Sequence, residues 1–160
     1  REHGGVSVRS RVGHSYIKAL MASEGAVFGG EHSGHFYFAN FWNADSGMLA
    51  ALHVISALGN TNPGTTLSSL LQEFDRYSAS GEINSKVKDA KQVMNRIKEI
   101  YAAQNSLAID DLDGITVSAG DWWFNVRASN TEPLLRLNVE AESSELMNYI
   151  KNEVLGVING

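Results

Sequence analysis

Hydrophobic and polar positions alternate in Val6-Ser7-Val8-Arg9-Ser10-Arg11-Val12, a period of two that predicts a strand. Gly13-His14-Ser15 then opens a helical stretch to about Ser23, with Ile17, Leu20 and Met21 on one stripe. Ala26–Gly29 reads as a short buried strand, Gly30–Gly34 as a turn, and His35–Phe38 as a return strand. Asp45 is placed to cap a helix whose apolar face carries Met48, Leu52 and Ile55 with Leu49, Ala51 and Leu58, ending at Gly59. Thr65 or Thr66 can cap a further helix carrying Leu67, Leu70, Leu71 and Phe74. Strand and helix alternate through this half, as in an α/β layered domain.

The pattern changes near residue 75. Arg76–Val87 is mostly polar and reads as a strand bent at Gly81. A helix from about Lys88 to Ala102 puts Ala90, Val93, Met94, Ile97 and Tyr101 on one face. Strand-like runs follow at Gly114–Ser118, Trp122–Arg127 and Leu134–Glu140, the first pair joined by a tight turn at Gly120-Asp121. Ser143 or Ser144 caps a last helix with Leu146, Ile150, Val154 and Val157 inward. The expected fold class is therefore a partial α/β layered domain over residues 1–75, followed over 76–160 by an α+β domain, an antiparallel sheet covered by helices.

At 160 residues, 43% hydrophobic and 19% charged, the chain is globular and long enough for a sizeable core. Its net charge is −5 and no block of like charge runs five residues or more, which argues against a general nucleic-acid surface. There is no cysteine, which removes disulfides, thiolate metal sites and thiol catalysis and fits a reducing cytoplasm. No apolar run approaches a membrane span. The chain opens on Arg1 rather than Met and is expected to be a piece of something longer.

Two loops carry candidate chemistry. Glu31 in Gly30-Glu31-His32-Ser33-Gly34-His35 can accept from two neighbouring sugar hydroxyls at once, Ser33 can donate or accept, and His35 can reach a hydroxyl or a phosphate oxygen. Glycines on either side let backbone come close to a ligand. The same residues also suit a plain strand-turn-strand with a solvated Glu. Glu31, His32 and His35 lie close enough in sequence to raise a metal reading, but no further ligand cluster stands beside them, and no metal site is assigned.

The second loop, Arg127-Ala128-Ser129-Asn130-Thr131-Glu132-Pro133, gathers donors suited to a phosphate. Arg127 offers a bidentate charge-assisted pair, Ser129 and Thr131 hydroxyls, Asn130 an amide, and the turn backbone its N–H groups. Such residues also dominate ordinary polar turns. Arg136 follows close behind, as a second positive charge or a structural ion pair. His14, at a helix start where the dipole disfavours its charged form, is a candidate proton acceptor or a structural cap. Trp122-Trp123 suggests a stacking platform, with core packing accounting for at least one ring.

In this order and spacing the two loops resemble those of the α-D-phosphohexomutase superfamily, most closely its bacterial phosphomannomutase/phosphoglucomutase branch. Val12-Gly13-His14-Ser15-Tyr16-Ile17-Lys18 is similar to a segment of that family's third domain, and the resemblance extends over essentially the whole chain. It implies most of domain 3 followed by domain 4 of a four-domain enzyme. In the family, a phosphoserine of domain 1 exchanges phosphoryl groups with a hexose 1- or 6-phosphate through a hexose 1,6-bisphosphate, with Mg²⁺ held by domain 2. Neither the phosphoserine loop nor the acidic Mg²⁺ loop has a counterpart here.

By this resemblance Glu31 and Ser33 bind sugar hydroxyls, and Arg127, Ser129, Asn130 and Thr131 hold the phosphate that is not reacting. His35 and His14 stand near sugar or phosphate, His14 being the catalytic candidate. The implied partners are mannose or glucose 1- and 6-phosphates and the missing N-terminal domains, with the chain alone inactive. The competing reading is a stand-alone sugar-phosphate-binding module without catalysis.

Overall fold

The computed structural model describes residues 3–129 and 132–160. The chain divides into two compact units, Arg1–Phe74 and Asp75–Gly160. The family resemblance and the observed architecture agree: an α/β unit is followed by a unit built on a mostly antiparallel sheet with helices. Among the described residues, no helix is long and apolar enough to cross a membrane.

In the first unit, helix α1 (His14–Glu24) ends at Gly25, whose φ of 64° is the left-handed conformation common after a helix, and whose N–H returns to Met21. Strands β1 (Phe28–Gly30), β2 (Phe36–Phe38) and β3 (Ala44–Asp45) form an antiparallel sheet in that order. The core is small: Ile17, Met21 and Tyr37, with Ala26 packed against them. Gly29 makes this packing close. A Cβ there would lie 3.0 Å from Met21 Sδ and 3.1 Å from Ile17 Cγ2, so a larger residue would force these side chains of α1 to give way. Helix α2 (Gly47–Gly59) and the short α3 (Leu67–Leu71) complete the unit.

Several expectations change here. Val6–Val12 forms no strand and pairs with neither sheet, and Val6 is 91% exposed. Alternation becomes a strand only where a neighbouring strand pairs with it, and neither sheet takes up this run. The run before Gly30 is not buried either, since Phe28 lies on an edge strand and is half exposed. Asp45 does not cap α2: Ser46 does, its side chain accepting from the Leu49 N–H at 3.2 Å. The apolar face of α2 exists as a pattern, yet Met48, Leu52 and Ile55 are all exposed.

The second unit is larger in core. Strands β4 (Ser78–Ala79), β5 (Ile83–Lys86), β6 (Ala108–Asp110), β7 (Ile115–Ser118), β8 (Trp122–Ala128) and β9 (Leu134–Ala141) make one sheet ordered β4-β9-β8-β7-β6, with β5 also paired to β9. The run read as one bent strand over 76–87 is thus two, broken where Gly81 takes a φ of 66°. Strand β6 was not foreseen, because its three residues are too few to show a period. Helix α4 (Ala90–Ala102) starts at Asp89, which accepts from the Gln92 N–H. Helix α5 (Ser144–Asn159) is capped by Ser143 and buries Met147, Ile150, Val154 and Ile158, while the expected Leu146 and Val157 are partly buried and pack against the same core. Both helices close over Val117, Phe124, Val126, Leu135, Leu137 and Val139, which point from alternate positions of the central strands.

Candidate functional site

The sugar-type loop is a hairpin between β1 and β2. Glu31 N–H donates to the His35 carbonyl at 2.9 Å, and Gly34 N–H to the Glu31 carbonyl at 3.0 Å. Gly34 has φ of 85°, a conformation that costs any residue with a Cβ. Both oxygens of Glu31 are engaged. Oε1 accepts from the Tyr37 hydroxyl at 2.5 Å, and Oε2 from Ser33 Oγ at 3.3 Å. Tyr37 comes from the buried core, so one side of Glu31 is anchored from below while the Ser33 side stays exposed. Burial first, and then Glu31 itself, hold the Tyr37 hydroxyl protonated well above its ordinary range.

His35 has a partner that the sequence did not reveal. Its Nδ1 lies 2.6 Å from Asp45 Oδ2, and Asp45 Oδ1 accepts from the Phe36 N–H at 3.0 Å. The His35 bond first, and the backbone N–H second, hold the Asp45 carboxyl below its usual range. Antiparallel pairing of Tyr37 with Asp45 across β2 and β3 brings that carboxylate back beside the loop. His14, the first residue of α1, places its ring 4.6 Å from that of His35, edge to face, and 5.6 Å from that of Tyr37. The close seating of α1 on Gly29 is what delivers it there. Glu31, Ser33, His35 and His14 therefore gather in one place, joined by Tyr37 and Asp45.

The trio considered for a metal in the sequence, Glu31, His32 and His35, is not the one assembled. The group of described residues able to share an ion is His14, His35 and Asp45. Two imidazoles and one carboxylate do not fit the Mg²⁺ that the resemblance implies, which prefers an all-oxygen octahedral shell.

The phosphate-type loop joins β8 to β9. Ser129 N–H donates to the Leu134 carbonyl at 2.9 Å, closing the loop's base. Arg127 stands directly across the ladder from Arg136. Two cations facing each other on paired strands repel, and Glu82 offsets this: its Oε2 lies 3.2 Å from Arg127 Nη2 and its Oε1 3.3 Å from Arg136 Nη1. The two guanidiniums are thereby held side by side, mostly buried, at the mouth of the loop. Arg136 Nε is buried without a hydrogen-bond partner among the described residues. Asn130 and Thr131 lie outside the described residues.

Gly114 fixes the backbone beneath Arg127. Its φ is 74°, and a Cβ there would meet the Val126 carbonyl oxygen at 2.3 Å and Arg127 Cα at 2.8 Å. The tryptophan pair divides as alternation requires. Trp122 packs on the core beside Phe124, and Trp123 donates its indole N–H to Glu140 at 3.1 Å.

Comparison with known proteins fits both loops into one lineage. Residues 1–77 match the family model for the phosphoglucomutase/phosphomannomutase alpha/beta/alpha domain III, and residues 82–157 match that for the C-terminal domain of the same family. The chain belongs to the phosphoglucomutase/phosphomannomutase family. A phosphomannomutase of Methanocaldococcus jannaschii is 43% identical over 98% of this chain and 34% of its own length. One of Vibrio cholerae is 45% identical over 97% of this chain and 34% of its own length. Among solved structures, a phosphoglucomutase/phosphomannomutase family protein from Burkholderia thailandensis superimposes with a TM-score of 0.80 at 25% identity, over 98% of this chain and 33% of that one. The chain thus spans about a third of the length of the family members it matches.

Proposed function

We propose that this chain is the substrate-reading and phosphate-holding portion of a phosphomannomutase/phosphoglucomutase that interconverts hexose 1- and 6-phosphates through a 1,6-bisphosphate. The observation that carries this reading is the Glu31 carboxylate, anchored on one oxygen by Tyr37 and capped on the other by exposed Ser33. A sugar hydroxyl can take the place of Ser33, and a neighbouring hydroxyl can share the same carboxylate. Hydroxyls 3 and 4 are the pair assigned to Glu31 and Ser33, which leaves position 2 loosely read and both glucose and mannose acceptable.

The phosphate that is not reacting is assigned to Arg127, Ser129, Asn130 and Thr131, with Arg136 adding charge. Phosphoryl transfer is mostly positioning plus charge stabilisation, and these groups supply the positioning. His35 serves as the group that accepts a proton from the attacking hydroxyl. Asp45 on its Nδ1 favours the tautomer that leaves Nε2 as acceptor. His14, packed against His35, is the other candidate for that proton and stands near sugar or phosphate. Phosphoserine and Mg²⁺ belong to other parts of the complete enzyme, in a cytoplasmic setting, and the isolated chain is expected not to turn over.

The test is Glu31→Gln in the complete enzyme. The amide keeps one accepting atom and turns an NH₂ toward a donor, a buried mismatch of about 1–3 kcal/mol. We expect kcat/KM for glucose and mannose phosphates to fall about equally, with inhibition by inorganic phosphate retained. Loss of phosphate inhibition with intact sugar turnover would remove Glu31 from the role given to it.

A further inference from the structure

We propose that His14, His35 and Asp45 form a binding site for a borderline divalent transition metal, Zn²⁺ foremost. One donor atom from each of the three lies within 4.8 Å of the others. A zinc ion bound by imidazole nitrogen and carboxylate oxygen at about 2.0–2.2 Å spaces its ligand atoms by roughly 3.4 Å. The widest gap must therefore close by a little more than an ångström, while His35 Nδ1 and Asp45 Oδ2, 2.6 Å apart, must open slightly and exchange their mutual hydrogen bond for the metal. Its parts are able to do so, because His14 is exposed and the His35 side chain is 41% exposed, leaving both imidazoles room to turn.

Two features hold the site ready. Asp45 is the fixed corner: its Oδ1 is tied to the Phe36 N–H at 3.0 Å, while Oδ2 faces the imidazole. His14 is fixed at its backbone, because it opens a helix that Gly29 seats tightly against β1. The donor set selects the metal. Imidazole suits zinc, copper, nickel and cobalt, whereas magnesium and calcium take oxygen shells. Three protein donors leave a further position for water or for a ligand oxygen, the arrangement of an open rather than a sealed site. The same residues flank Glu31 and Ser33, so bound metal and hexose phosphate should compete. That consequence rests on the proposed function; metal binding itself does not.

Calorimetric titration of the chain with Zn²⁺ tests the site, with Co²⁺ as a spectroscopic stand-in whose visible d–d bands report low-coordinate imidazole ligation. We expect one saturable equivalent, unaffected by millimolar Mg²⁺. His14→Ala and Asp45→Asn should each weaken it by at least about tenfold, with circular dichroism confirming the fold. Exposed His14 makes its variant informative even if Asp45→Asn unfolds. His32→Ala should bind as the unaltered chain does. Absence of saturable binding overturns the proposal. So does binding that survives His14→Ala, or binding that is lost instead with His32→Ala. Because the readout is binding to the chain itself, a negative result leaves the sugar-phosphate reading standing, and the Glu31→Gln test leaves the metal site standing.

Discussion

The Tyr37 hydroxyl donates to Glu31 Oε1 at 2.5 Å from a ring that is wholly buried. The residue proposed to read the sugar is thus aimed by a residue of the core. Tyr37→Phe keeps the ring and deletes the donor. Hydrogen bonds to charged groups contribute about 1.5–3 kcal/mol, so kcat/KM of the complete enzyme should fall about tenfold or more for both epimers. Inhibition by inorganic phosphate should not move. Steady-state kinetics on glucose and mannose 1-phosphates would check both statements.

Arg127→Ala should remove the charge-assisted phosphate contact proposed for it and leaves Glu82 with Arg136 alone. In the complete enzyme, binding should weaken by roughly 10- to 100-fold, following from about 1.5–3 kcal/mol. Both the 1- and the 6-phosphate should suffer if, as proposed, one loop serves both orientations. Calorimetry with each substrate would show it, and a loss confined to one would contradict a shared clamp.

Gly114→Ala should damage the phosphate loop from below. The added methyl collides with the Val126 carbonyl and Arg127 Cα, and the backbone there is left-handed. Overpacking and backbone strain together should cost about 2–5 kcal/mol. Denaturant unfolding followed by fluorescence of Trp122 and Trp123 would measure it. Gly120→Ala, where an added Cβ meets open space, serves as the mild comparison.

Tyr101 makes the second unit sensitive to alkali. Burial chiefly, then the nearby Glu153 and Tyr149, raise its hydroxyl pKa above the ordinary value. The folded state therefore favours the neutral phenol, while the unfolded chain ionises near pH 10. Its contribution to stability is full below that pH and is lost as pH rises from there through the folded value. Melting temperatures should decline above about pH 10, and Tyr101→Phe should decline less steeply. Parallel curves for the two proteins would show that Tyr101 is not the group responsible.

Local patterns were legible and distant pairings were not. The stripe on α4 and the cap at Thr66 could be read because each depends on residues within a turn or two. On α5 the expected Leu146 and Val157 do pack on the core, but their apolar neighbours Met147 and Ile158 are buried more deeply, and periodicity alone does not choose between neighbours. Asp45 looked like a helix cap, since an acidic residue before an apolar helix has that use. Its bond to His35 depends on the β2–β3 register, which no short motif records. Glu82 was invisible as the counter-charge to Arg127 for the same reason, at a separation of 45 residues. Val6–Val12 shows the converse: the alternation is present and the pairing is absent among the described residues.

Structures of the complete enzyme with glucose 1-phosphate and with glucose 6-phosphate test the central claim most directly. The phosphate should lie on the Arg127–Ser129 loop in both, and in both a pair of sugar hydroxyls should meet Glu31, with the sugar turned over between them. A phosphate that leaves Arg127 in one complex, or a sugar that touches Glu31 in neither, would contradict it.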